Sequence, residues 1–259
     1  MRWRLTHAEG SLAGASLDDL LDHGGVLGRG ATEVPAFNTH AREQAWLEQQ
    51  CRALTPADRA TWWVLPDRER NERTLWQDLA ASRVQVAFGR SGVTLAISQV
   101  NRLQEPATLV AMDRVPGSRP GTVVESWLRI DLEPDSGGLG LQLNLVDGRL
   151  DGSTDLTNLL EKARATVPAP EVLFLPGTGG DASLDHLVPC LAAMDTWIDR
   201  AVRWEFAEAR IGPLGTAGSL FNRFWAHEGY RLGDWQGTVA ILDMDTGPLV
   251  GLSVVDYNA

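Results

Sequence analysis

Ser91 is the one side chain of this 259-residue sequence set where a nucleophile could form: an apolar run, Val84 to Phe88, breaks at Gly89-Arg90, and Ser91 opens a stretch of helical spacing. A serine attacks only when a base takes its proton, and no base is spaced with it. Its first reading is therefore an N-cap, whose side-chain oxygen accepts a backbone N–H; the nucleophile is the alternative. The five histidines, His7, His23, His40, His186 and His227, share no metal-like spacing and read as surface or hydrogen-bonded structural groups. Asp181, Asp185 and His186 fall on one helical segment, but catalysis there needs a nucleophile that the sequence does not identify. Asp243 and Asp245 are hard oxygen donors that could ligate a cation, although two carboxylates beside a strand turn are usually solvated. Cys51 and Cys190 form neither a Cys-x-x-Cys pair nor a disulfide framework, and each reads as a small buried hydrophobe. No metal and no cofactor is expected.

Two glycine-rich turns must be positioned by the surrounding elements. The run Glu171 to Leu175 breaks into Pro176-Gly177-Thr178-Gly179-Gly180-Asp181, and Ile211-Gly212-Pro213-Leu214-Gly215-Thr216-Ala217-Gly218 follows later. As phosphate loops both are poor, because no Gly-Lys-Ser/Thr follows and no acid is placed for a ribose. As connectors they fit. Val84 to Phe88 predicts a central strand, as Glu171 to Leu175 does in the second half, the apolar positions Val93, Ala96, Ile97, Val100 and Leu103 a helix, and Ala107 to Met112 a second strand. Thr122 to Leu132 and Leu139 to Val146 flank Asp135-Ser136-Gly137-Gly138 as hairpin arms. After the breaker Thr166 to Pro170, strands are expected at Glu171 to Leu175 and Val202 to Phe206, with helices at Ser183 to Ile198 and Thr216 to Trp225. A closing hairpin joins Thr238 to Met244 with Leu249 to Val255. Such alternation favours a layered α/β domain with a mainly parallel sheet, one domain over 1–259 with halves of about 1–165 and 166–259.

Composition narrows the partners. With 44% apolar residues the chain can bury a substantial core, and a net charge of -11 argues against nucleic acid or an anionic membrane surface. No apolar stretch is long enough to span a bilayer and no secretion signal opens the sequence, so the expected compartment is the cytoplasm. Most of the ten tryptophans should be core or core-edge. Trp62-Trp63 differs, since neighbours in an extended segment face opposite ways. One of the two is expected at the surface, which makes this pair the first guess for a protein contact.

The two glycine turns resemble the C-terminal half of the β-ketoacyl synthases of the thiolase superfamily, where a strand runs into His-Gly-Thr-Gly-Thr and a later Gly-His turn supplies a second histidine. Val84 to Asp113 resembles the amino-terminal unit of the same family, a strand leading to the nucleophilic cysteine at the start of a buried helix. The resemblance covers roughly Trp62 to Val255, with Leu65-Pro66 and the following helical run similar to short thiolase-like proteins. It implies a thiolase-like layered α/β fold of two pseudo-repeated halves, reduced in size. It also implies that Pro176 and Pro213 stand at the histidine positions and Arg90, to within one residue, at the cysteine. Proline cannot exchange a proton, and arginine at a helix N-terminus is neither nucleophile nor base. The turn residues Gly177, Thr178, Gly179, Gly212 and Gly215 would then line a retained binding cleft. In β-ketoacyl synthases the strand before the nucleophile pairs with its copy in a second subunit, so Val84, Val86 and Phe88 are expected in a homodimer or a heterodimer with a related thiolase-like subunit. Similar short members occur beside type VI secretion effectors, which implies a non-catalytic adaptor or chaperone for a secreted effector. The alternatives are an acyl-thioester-processing enzyme and an acyl-ligand sensor.

Overall fold

A computed structural model describes residues 2–22, 31–148, 156–177, 187, 197–198, 201–244 and 249–258. The first set of elements runs β1 (Arg2–Leu12), β2 (Ala15–Ser16), α1 (Leu17–Asp22), β3 (Glu33–Pro35), α2 (His40–Ala53) and β4 (Ala60–Leu65), then α3 (Arg73–Leu79), β5 (Val84–Phe88), α4 (Arg90–Leu103), β6 (Ala107–Pro116) and β7 (Thr122–Asp135). The second runs β8 (Gly138–Gly148), α5 (Leu156–Thr166), β9 (Val172–Phe174), β10 (Arg203–Glu205), α6 (Ala207–Ile211), α7 (Thr216–Leu232), β11 (Val239–Met244) and β12 (Leu249–Asn258).

One hydrogen-bonded path, β10-β9-β11-β12-β8-β1-β7-β6-β4-β5, joins the strands, with β2 and β3 paired off it. It divides into two matching sets. In the first, β5, β4 and β6 are parallel and β7 and β1 follow antiparallel. In the second, β10, β9 and β11 are parallel and β12 and β8 follow antiparallel. The sets meet where Arg2 and Trp3 of β1 pair with Gly140 and Leu139 of β8, and Arg2 grips Asp256 through two hydrogen bonds of 2.9 and 3.0 Å.

Alternation along the strands builds the layers. Trp62 and Val64 of β4 face an inner cluster with Val93, Ala96 and Val100 of α4 and Leu220 and Phe221 of α7. Trp63 and Leu65 face outward onto Leu47 and Cys51 of α2 and Trp76 of α3. The second set repeats this, Leu173 facing α5 while Val172 and Phe174 face Ala226 and Tyr230 of α7. Helices α4 and α7 therefore form the middle of five layers, packed on each other and on strands of both sets. At Gly251 of β12 a side chain would collide with Thr94 of α4, so glycine lets the helix lie directly on the strand.

Four expectations are corrected. Among the described residues Val84–Phe88 lies at the sheet edge, bonded to β4 alone, and its counterpart is β10; Glu171 to Leu175 is interior and matches β4. The segments Thr122 to Leu132 and Leu139 to Val146 form strands but no hairpin, because β1 lies between them. The changeover between sets falls at Asp135–Gly138, since β8 pairs with β12 and α5 packs in the second set's outer cluster. Trp62 and Trp63 are both buried, at 2% exposure each, because both faces of β4 are covered. The expected helix Ser183 to Ile198 lies outside the described residues except at 187 and 197–198.

Candidate functional site

The elbow between β5 and α4 is Gly89, whose φ of 72° belongs to the left-handed region that glycine enters without a Cβ penalty. Its N–H is fixed on the Leu65 carbonyl at 2.8 Å. Arg90 is then the first helical residue. Its guanidinium turns onto Glu208 of α6, Nη2 donating to Oε1 at 2.6 Å, and only 11% and 5% of the two side chains stay exposed. The same carboxylate oxygen accepts the Leu214 N–H at 3.0 Å, while Ser219 Oγ lies 3.2 Å from the Arg90 carbonyl. The elbow of the first set and the second glycine turn thus meet in a buried, charge-assisted contact.

Asp113, in the second half of β6, fixes the second turn from the other side. Its Oδ2 accepts the Thr216 N–H that opens α7 at 2.9 Å, and its Oδ1 accepts Arg68 Nη1 at 2.7 Å. A carboxylate here also suits the positive end of the helix dipole. Gly215, with φ of 57°, packs against this carboxylate, which fills the space a side chain would need. Gly212, with φ of 111°, lies near Ala31, and Pro213 is half-buried between α6 and α7. Pro176 is buried just after β9 and is followed by Gly177 at φ 82°. Thr178, Gly179, Asp181, Asp185, His186, His23, Cys190 and Asp245 lie outside the described residues.

Below the elbow, α4, α7, β11 and β12 share a second polar cluster. Asp243 Oδ2 accepts Arg223 Nη2 at 2.7 Å and Thr94 Oγ1 at 2.6 Å, and Oδ1 accepts Ser219 Oγ at 2.6 Å. Arg223 also donates to Ser253 Oγ at 2.9 Å, and Ser253 donates to Asn144 Oδ1 at 2.7 Å. Asp243 is therefore not solvated but buried in the middle layer, paired with Arg223. Ser91 is corrected as well. The helix begins a residue earlier, with Gly89 as N-cap, and Ser91 Oγ is fully buried without a hydrogen-bond partner among the described residues.

The remaining candidates are dispersed. His7 and His40 are half-exposed, each 3.7 Å from a carboxylate, Glu9 and Glu69. His227 is buried beside Glu228 at 3.1 Å, and desolvation lowers its pKa from the ordinary 6.5. Cys51 packs its sulfur 3.8 Å from Met112 Sδ, and burial pushes its thiol well up. Among the described residues no group of three His, Cys, Asp or Glu is placed for a metal. Sequence reading missed Glu208 and Arg223. For Glu208 the available signal was a lone acid just before the second glycine turn, opposite in charge to Arg90.

No family model and no curated protein matches this chain. Solved structures do match. An oxazolomycin ketosynthase domain of Streptomyces albus JA3453 superposes with a TM-score of 0.66 at 14% identity, covering 99% of this chain and 95% of the other. The ishigamide ketosynthase/chain length factor gives 0.60 at 13% identity, with 100% of both chains covered. A ketosynthase solved with its type II polyketide synthase acyl carrier protein and bound to the hexaketide gives 0.61 at 10% identity, covering 99% of each chain. The chain has the thiolase-like ketosynthase fold. At such identity the likeness is one of fold.

Proposed function

We propose that this protein is a non-condensing member of the thiolase-like fold that works by binding another protein. The observation that carries the reading is the Arg90–Glu208 pair, which fills the elbow where a condensing enzyme needs a thiolate. A guanidinium stays protonated across the physiological range and does not attack a thioester. With proline at both histidine positions, no group there polarises a carbonyl or receives a proton. The purified protein given malonyl and acyl thioesters should release no more free thiol than a no-protein blank. Condensation above that blank would overturn the reading.

The partner surface in this reading is β5, bonded on one side only among the described residues, together with Leu95 of α4, 36% exposed on the helix that packs beside it. An open strand edge favours pairing with another strand. The occupant is a second copy or a related thiolase-like subunit, and a secreted effector is the client that such an adaptor would hold. Capture from native cells followed by mass spectrometry identifies it; recovery of neither a thiolase-like subunit nor an effector would count against the role. A second reading, acyl transfer to Ser91, draws support from its unpartnered hydroxyl. Labelling by an acyl fluorophosphonate, abolished by Ser91→Ala, would establish that one instead.

A further inference from the structure

The ends of β4 and β5 opposite to Gly89 open into a groove of about 300 Å³ in which Arg52, Arg59 and Arg83 converge without a carboxylate in its wall. A neighbouring groove of about 310 Å³ shares Arg59, Ser82 and Arg83, and adds the acids Asp58 and Glu105. Three cations facing one hollow are out of keeping with a chain of net charge -11. Two of the three make hydrogen bonds among the described residues. Arg52 donates to Glu48 at 2.9 Å and to the Leu79 carbonyl at 3.2 Å, and Arg83 donates to the Asp58 carbonyl at 3.2 Å.

Arg59 is the unusual member. Its side chain is 19% exposed, yet its nearest carboxylates, Asp131 at 3.8 Å and Asp58 and Glu133 at 3.9 Å, all lie beyond hydrogen-bond distance. Asp131 is committed elsewhere, to Thr108 at 2.8 Å and to Arg129 at 2.9 and 3.1 Å. Arg59 Nη1 is fully buried with no acceptor among the described residues. That buried nitrogen faces Asp131, whereas Nε and Nη2 make no hydrogen bond among the described residues and can donate to an arriving oxyanion.

We propose that this groove binds a phosphoryl group, held between Arg59 and Arg83 with Arg52 at the rim. The planar forks of two arginines can take separate edges of a tetrahedral phosphate, whereas a carboxylate offers only two oxygens in one plane. The site lies at the opposite end of β4 and β5 from the Arg90–Glu208 pair, so it does not depend on the adaptor reading.

Titration calorimetry at low ionic strength would use inorganic phosphate, O-phosphoserine and succinate, on the wild type and on Arg83→Ala, Arg59→Gln and Arg203→Ala. Arg83 is exposed, so its truncation leaves the fold intact even if Arg59→Gln does not; Arg203 is a control on the far edge strand β10. Both phosphates should bind, succinate should bind at least about tenfold more weakly, and Arg83→Ala should weaken phosphate binding by about tenfold while Arg203→Ala leaves it unchanged. Tighter binding of phosphoserine than of phosphate assigns the site to a phosphorylated ligand, and equal binding assigns it to the free ion. Absence of phosphate binding at millimolar concentration, succinate binding as tightly, or equal affinity in Arg83→Ala would overturn the proposal.

Discussion

Arg90 and Glu208 leave water together, and each offsets the charge of the other. Removing one partner of a buried pair strands a charge, which costs about 3–5 kcal/mol, whereas replacing both by apolar side chains is often neutral. Arg90→Ala should therefore lower stability by roughly that amount in urea unfolding, and Arg90→Met with Glu208→Leu should recover most of it. His227 gives a second test. Desolvation is the main cause of its lowered pKa, against the opposing pull of Glu228 at 3.1 Å. The folded state thus holds a neutral imidazole, while the unfolded chain gains a proton near 6.5. Stability is full above that pH and falls as the pH drops from it toward the lower folded value. His227→Gln should flatten this slope, and an unchanged slope would assign the acid sensitivity elsewhere. Arg90 could be singled out from sequence because it follows a strand and opens a helix. Its partner could not, because 118 residues separate the two and only the folded sheet brings them together.

Among the elements, β5 and α4 were legible because an apolar run, a glycine and helical spacing follow one another without interruption. The edge position of β5 was not, since a five-residue apolar strand looks the same whether one or two neighbours flank it. Its burial gives a better clue: Val84, Val86 and Ala87 are only half-covered, and Gln85 is exposed. If that edge is an assembly surface, light scattering should find a dimer at micromolar concentration, and Val86→Pro should shift it to monomer while the far-UV spectrum is kept. A wild type that is strictly monomeric and soluble alone would argue against self-pairing. Trp62-Trp63 misled for a related reason. Alternation puts the two rings on opposite faces, but sequence does not say that α2 and α3 cover one face and α4 the other. At β12, Gly251→Val should press on Thr94 and disturb the Arg223–Asp243 cluster, and a loss of about 1–3 kcal/mol is expected in denaturant unfolding.

For the whole molecule, the repeated alternation of strands and helices was enough to indicate layers and two related halves. The join between them was hidden. It depends on β1, whose short alternating stretch Arg2-Trp3-Arg4-Leu5 carries little signal by itself, and whose partners in β7 and β8 lie more than a hundred positions away. That seam also has a consequence in time. β1 is made before the strands it pairs with, so it finds its main neighbour only once Asp135 has emerged, and Arg2 meets Asp256 only after β12 has been made. Contacts between such distant parts of a chain form slowly, because a long loop must close before they reward it. β1 therefore waits for its main neighbour while more than a hundred further residues are made, and sealing the seam waits for β12.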